Sequence, residues 1–185
     1  PYLPFDGMNE AGLAIGMAAV PAGGMRPDPA KETVDSLGII RLMLDRAANV
    51  DEALDIISNY NIDMEGGPPL HYLIADASGM SILVEFYRGE MVVIPAEQDW
   101  HAATNFLQAS AGDSITGQCS RYDQITSILS DADGQLNAAD SMDLLQDVSQ
   151  VNTQWSIIYG ITSMQIRLVM GQQYDQVHSI PFDFG

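Results

Sequence analysis

The chain has 185 residues, 46% hydrophobic and 17% charged, a balance that supports one buried core and excludes global disorder. Seven basic residues against 25 acidic ones leave a formal net charge of −18. Without Lys and Arg clusters, nucleic acid and anionic membrane surfaces are excluded as partners. A single cysteine, Cys119, rules out an intrachain disulfide. Together with His71, His101 and His178 it offers no metal-ligand spacing, so neither metal nor cofactor is expected.

In chain order, Pro4 to Gly7 reads as a turn and Gly12 to Val20 as an apolar strand. Gly16 interrupts the apolar run from Leu13 to Val20, which is far too short to span a bilayer. Gly23, Gly24, Pro27 and Pro29 mark a loop. Val34, Leu37, Ile40, Leu44 and Ala47 follow helical spacing, and a second helix opens at Asp51 with Leu54 and Ile57 inward. The stretch Glu65–Pro69 stops the helical region. Short β-rich runs at Tyr72–Ala75, Ser81–Tyr87 and Glu90–Pro95 predict consecutive antiparallel hairpins, with a further strand end at 100–105. Ser120 and Asn137 are expected helix caps. Two strands, Trp155–Ile161 and Met164–Met170, and an apolar segment at Val177–Phe184 close the chain. Strands follow one another without crossover helices, which predicts an α+β architecture with antiparallel sheets and no internal domain boundary.

Four groups of residues bear on chemistry. Asp6–Leu13 (DGMNEAGL) is a turn feeding a strand, whose backbone N–H groups suit either a plain hairpin or an oxyanion. Asn105, in Ala-Thr-Asn-Phe at 103–106, is an amide able to donate to an oxyanion without adding charge. Arg121 opens a helix, where its charge opposes the dipole, and so calls for a carboxylate partner. Trp155, Ile157 and Tyr159 read as core packing. Cys119 lies beside Arg121, but no His stands near it in sequence, so it is set aside as a nucleophile. Pro1 is set aside as a base because Pro4 follows so closely.

Taken in order, DGMNEAGL at 6–13, RLMLDRAANVDEALDII at 41–57, HYLIADASGMSILVEF at 71–86, ATNF at 103–106, SRYDQI at 120–125 and TQWSIIY at 153–159 resemble the choloylglycine hydrolase family. That family's relatives include penicillin V acylases, penicillin acyltransferases and the acid ceramidase group. The resemblance implies a four-layer αββα N-terminal-nucleophile sandwich with two antiparallel sheets. It places Asn9 as an oxyanion or substrate contact acting through its backbone N–H, Asn105 as a side-chain oxyanion donor, and Arg121 beside the nucleophile's thiolate. The interval from Asn105 to Arg121 is shorter than in bile salt hydrolases and nearer the acyltransferase and ceramidase-like branches.

The family's nucleophilic Cys has no counterpart here. The expectation is therefore that residues 1–185 are the C-terminal part of one domain, with the first strands and the nucleophile upstream of Pro1. The resemblance implies hydrolysis of a linear, non-peptide amide of a small acyl substrate, with this chain inactive without its N-terminal partner segment. Acyl transfer and a catalytically dead acyl-binding or assembly module are the alternatives. Homo-oligomerisation and cellular compartment are left open.

Overall fold

The computed structural model describes residues 3–112 and 114–182. Its strands are β1 (Asp6–Met8), β2 (Ala14–Ala19), β3 (Glu32–Asp35), β4 (Tyr60–Asp63), β5 (Leu70–Ala75), β6 (Ser81–Tyr87), β7 (Glu90–Pro95), β8 (Trp155–Gly160), β9 (Gln165–Met170) and β10 (His178–Pro181). Its α-helices are α1 (Gly38–Arg46), α2 (Val50–Ser58), α3 (Ser120–Asp131) and α4 (Ala138–Asp147). One antiparallel sheet runs β1-β2-β5-β6-β7 and a second runs β10-β9-β8.

The layering follows from strand alternation. On one face of the larger sheet, Ile15, Tyr72, Ile74, Ile82, Val84 and Phe86 share a core with Ile39, Ile40 and Met43 of α1 and Ala53 and Ile57 of α2. Each large side chain so buried contributes roughly 1.5–3 kcal/mol. The opposite face carries Asp6, Gly16, His71, Leu83 and Glu85. It meets the second sheet where Asp6 accepts hydrogen bonds from Trp155 Nε1 (2.9 Å) and the Tyr159 hydroxyl. The second sheet turns Ser156 and the fully buried Val169 the other way, and α4 packs against β8. The order is helix, sheet, sheet, helix, as the family resemblance implied. Gly12 marks how closely the sheets approach: at φ +81°, an added Cβ would lie 2.8 Å from the Ile161 carbonyl oxygen.

Several expected elements move. Val34 lies in β3, paired in parallel with β4, rather than in a helix. The Asp35 carboxylate accepts from the Leu37 and Gly38 N–H groups (3.1 and 2.8 Å) and delays the helix start to Gly38. β4 and its parallel pairing were not anticipated. Asn49 caps α2 by accepting from Glu52 N–H. Residues 100–105 are irregular, and Cys119 rather than Ser120 holds the α3 N-cap position. Asn137 caps α4 as expected. Trp155, expected in the core, is 37% exposed. The last two residues of the expected closing segment, Asp183 and Phe184, lie outside the described residues, as does Pro1. Among the described residues no helix is long and apolar enough to cross a membrane.

Asp76 ties the two layers of the core together. Its carboxylate accepts from Val50 N–H at the start of α2 and from Ser78 N–H, both at 2.8 Å. Burial pushes its pKa up, but the Ser78 hydroxyl and the Val50, Ser78 and Met80 N–H groups outweigh that and lower it. A depressed folded-state pKa means this stabilisation is full above the unfolded value of about 3.9 and is lost as pH falls through the folded one. Asp76→Asn is expected to destabilise the chain at pH 7 by about 1–3 kcal/mol. Denaturant melts across pH should show that gap to wild type narrowing as the pH drops below about 4.

Candidate active site

The site forms at the end of β2. Val20 N–H donates to the Pro69 carbonyl (2.8 Å). In an antiparallel ladder this alternation turns the N–H and C=O of Ala19 away from β5. β1 pairs with Ala14–Gly16 only, so among the described residues no strand pairs with Ala19 on that side. The Asn105 side chain meets it there, with Nδ2 donating to the Ala19 carbonyl at 2.7 Å. One of the two Nδ2 protons is thereby used, and the other has no acceptor among the hydrogen bonds of the described residues.

Arg121, in the first turn of α3, donates to Asn105 Oδ1 at 2.6 Å. In the amide orientation that its surroundings require, the Gln150 side-chain oxygen accepts from the same guanidinium at 2.9, 3.0 and 3.1 Å. Both partners are neutral amides, so the carboxylate expected from the helix-dipole argument is not what holds Arg121. The charge-assisted bond does fix which end of Asn105 faces the strand, because Oδ1 is committed to the cation and Nδ2 is left to donate. Phe106 and Tyr122 stack edge-to-face at 5.2 Å between ring centres, pinning the Asn105 segment to α3.

Asn9 stands apart. Its side chain accepts from the Ala11 and Leu13 N–H groups and donates to the Leu44 and Ala47 carbonyls at the end of α1. Its backbone N–H donates to the Leu13 carbonyl (3.0 Å). It lies at the Ala14 end of β2, and Asn105 lies at the Ala19 end, about 17 Å away along the strand. The N–H expected to serve an oxyanion is already spent in the hairpin, and Asn9 does not join the cluster. Its role here is to latch the turn onto α1. Ala19, through its backbone, is what meets Asn105, and a backbone group on a small residue leaves no side-chain signature. The only cue is an apolar strand ending in small residues just before Pro21.

A cleft of about 550 Å³ opens beside this strand edge, lined by Phe5, Met17, Ala19, Leu37, Leu70 and Asn105 among others. Its walls are mainly apolar, with the Asn105 amide at the rim. A second cleft of about 330 Å³ is lined by Arg121, Gln150, Thr153 and Trp155 among others. Cys119, at the α3 N-terminus, sits next to this cluster. Burial raises its thiol pKa, but hydrogen bonding from Thr104 and the Tyr122 and Arg121 N–H groups, with the Arg121 charge, lowers it overall. Among the described residues no group of three His, Cys, Asp or Glu side chains could hold a metal ion.

An αββα sandwich with two antiparallel sheets has the architecture of the N-terminal-nucleophile hydrolases, and in it Asn105 lies beside an apolar cleft. Residues 1–105 match the family described as linear amide C–N hydrolases, choloylglycine hydrolase family, and the chain belongs to that family. Two variants of the conjugated bile acid hydrolase from Clostridium perfringens superpose with TM-scores of 0.71 and 0.69, each at 16% identity over 96% of this chain and 72% of theirs. Penicillin V acylase from Agrobacterium tumefaciens gives 0.67 at 19% identity, over 95% of this chain and 65% of its own. At these identities the likeness is one of fold.

The position of Cys119 is open to direct measurement, since it is the chain's one cysteine. Its alkylation by iodoacetamide, followed by intact mass across pH, should show a midpoint lower than that of an unperturbed cysteine thiol. Arg121→Ala should move that midpoint up, and an unchanged midpoint would show that Arg121 does not act on the thiol.

Proposed function

We propose that this chain supplies the oxyanion-stabilising and acyl-binding part of an enzyme that hydrolyses a linear amide. The single observation that carries the reading is the pairing of Asn105 Nδ2 with the backbone of Ala19 at the rim of an apolar cleft. A cysteine at a processed N-terminus, upstream of Pro1, is the nucleophile, as the family resemblance implies. The residues preceding Pro1 are thus the segment this chain works with, in the same domain.

In the reaction, the cysteine sulfur attacks the amide carbonyl carbon while the acyl group lies against Met17, Leu37 and Leu70. The carbonyl oxygen becomes an oxyanion, which takes the free Nδ2 proton of Asn105 and the Ala19 N–H as donors. Neither donor titrates, so both stay aimed at the developing charge throughout. The tetrahedral intermediate collapses, the C–N bond breaks, and the amine leaves with the proton held by the cysteine's own α-amino group. Water then attacks the thioester and releases the acid. Arg121 serves by holding Oδ1 of Asn105, which keeps Nδ2 turned toward the reacting carbonyl and polarises the amide.

In the full-length protein, Asn105→Ala should lower kcat by about 10²–10³ and leave KM almost unchanged, because the donor acts mainly on the transition state. Asn105→Asp should be at least as damaging, since a carboxylate repels the oxyanion. A folded Asn105→Ala protein with wild-type kcat would remove Asn105 from the mechanism. Product analysis with an added amine separates hydrolysis from acyl transfer.

A further inference from the structure

Glu85 sits in the middle of β6 with 0% of its surface exposed, on the face opposite the helices. A carboxylate taken wholly out of water persists only when its oxygens are matched by donors. Here they are matched by the segment that carries Asn105. Oε1 accepts from Gln108 N–H (2.9 Å) and Oε2 from Ala109 N–H (2.8 Å), at the start of a 3-10 helix, Gln108–Ser110. His71, 1% exposed on the neighbouring strand, brings Nδ1 to 3.0 Å of Oε1. In the tautomer that carries its proton on Nδ1, the His71 ring donates to this oxygen. The Gln108 side chain reaches back to the Ala102 carbonyl at 2.7 Å and closes residues 102–108 into a loop. Asn105 is at the middle of that loop.

We infer that Glu85, held by His71, is a positioning residue for the Asn105 amide. The inference rests on the reading of Asn105 as an oxyanion donor. The geometry runs across one row of the sheet. His71 pairs with Ala18 of β2, and the next residue, Ala19, is where Asn105 Nδ2 lands. The loop is therefore fastened at the β6 side by Glu85 and at the β2 side by Asn105 itself. Leu83, equally buried on the same face, shows that an apolar side chain fits that layer. What a leucine at position 85 would not do is receive two backbone N–H groups and set the loop's height above the sheet. A shift of about 1 Å at a catalytic group is enough to cost roughly 10²-fold in rate.

The test uses the full-length enzyme. Glu85→Gln keeps the size but turns a donor toward one of the N–H groups. It is expected to lower kcat by about 10- to 100-fold with KM held within about twofold. Because Glu85 acts through Asn105, the Glu85→Gln/Asn105→Ala double variant should be no slower than Asn105→Ala alone. His71→Asn, which keeps a side-chain N–H near the Nδ1 position, should retain activity that His71→Leu loses. If Glu85→Gln fails to fold, Gln108→Met opens the loop at Ala102 without touching the carboxylate and should show the same fall in kcat at constant KM. Wild-type kcat in whichever of these two variants folds overturns the inference, as do losses that multiply in the double variant. Failure of the underlying reading shows separately, in full activity of Asn105→Ala by itself.

Discussion

The constraint on which this structure depends is that β5 and β6 are buried on both faces. Leu70, Tyr72 and Ile74 alternate with His71, and Ile82, Val84 and Phe86 alternate with Leu83 and Glu85, nearly all below a tenth exposed. One face is closed by α1 and α2 through apolar contact, which is non-directional and tolerant of small shifts. The other face includes two polar side chains that tolerate nothing of the kind. A buried carboxylate fixes its donors in distance and angle, so the layer that holds the site is specified by hydrogen bonds, and the layer that holds the fold together is specified by volume.

This division explains why the site lies where the ladder stops. Along most of β2 the backbone is consumed by pairing, with β1 on one side and β5 on the other. Past Gly16, no strand among the described residues pairs with the outer side of β2, and the Ala19 carbonyl accepts from Asn105 there. That side of the strand is met by Asn105, itself oriented by Arg121. Arg121 lies at a helix N-terminus, where its charge is unfavourable, and it contacts two neutral amides rather than a carboxylate. With no carboxylate of the described residues in that place, the positive charge of Arg121 is left uncancelled beside Asn105.

Much of the fold was legible in the sequence, and the reasons for the rest are local. The hairpins β5 to β7 follow from alternating β-rich runs separated by Asp76–Gly79 and Arg88–Gly89. α4 follows from Asn137 and its apolar spacing. β3 and β4 were missed because Val34 also fits a helical period with Leu37, and the Asp35 carboxylate that interrupts that helix acts through hydrogen bonds no periodicity records. Trp155 was read as core because its strand alternates. Its indole instead spans the gap between sheets to reach Asp6, 149 residues earlier in the chain. The site divides in the same way. Asn105 and Arg121 carry chemically distinctive side chains and could be singled out, whereas Ala19 contributes only its backbone. The turn at Asn9 offers N–H groups, and it uses those groups to close itself.

Asn9 and Asn105 show how one residue type is assigned opposite work by its surroundings. Each amide has one acceptor and two donor protons to place. Asn9 places both protons on the last carbonyls of α1 and its oxygen on two N–H groups of its own turn. It is saturated, and a saturated amide is structural. Asn105 gives its oxygen to a cation and one proton to Ala19. The remaining proton has no acceptor among the hydrogen bonds of the described residues, and it sits at the rim of a cleft rather than in the core. An amide with one unplaced donor at a cleft mouth, braced on its other three sides by Ala19, Arg121 and the Glu85-anchored loop, is arranged to give that donor to something that enters the cleft.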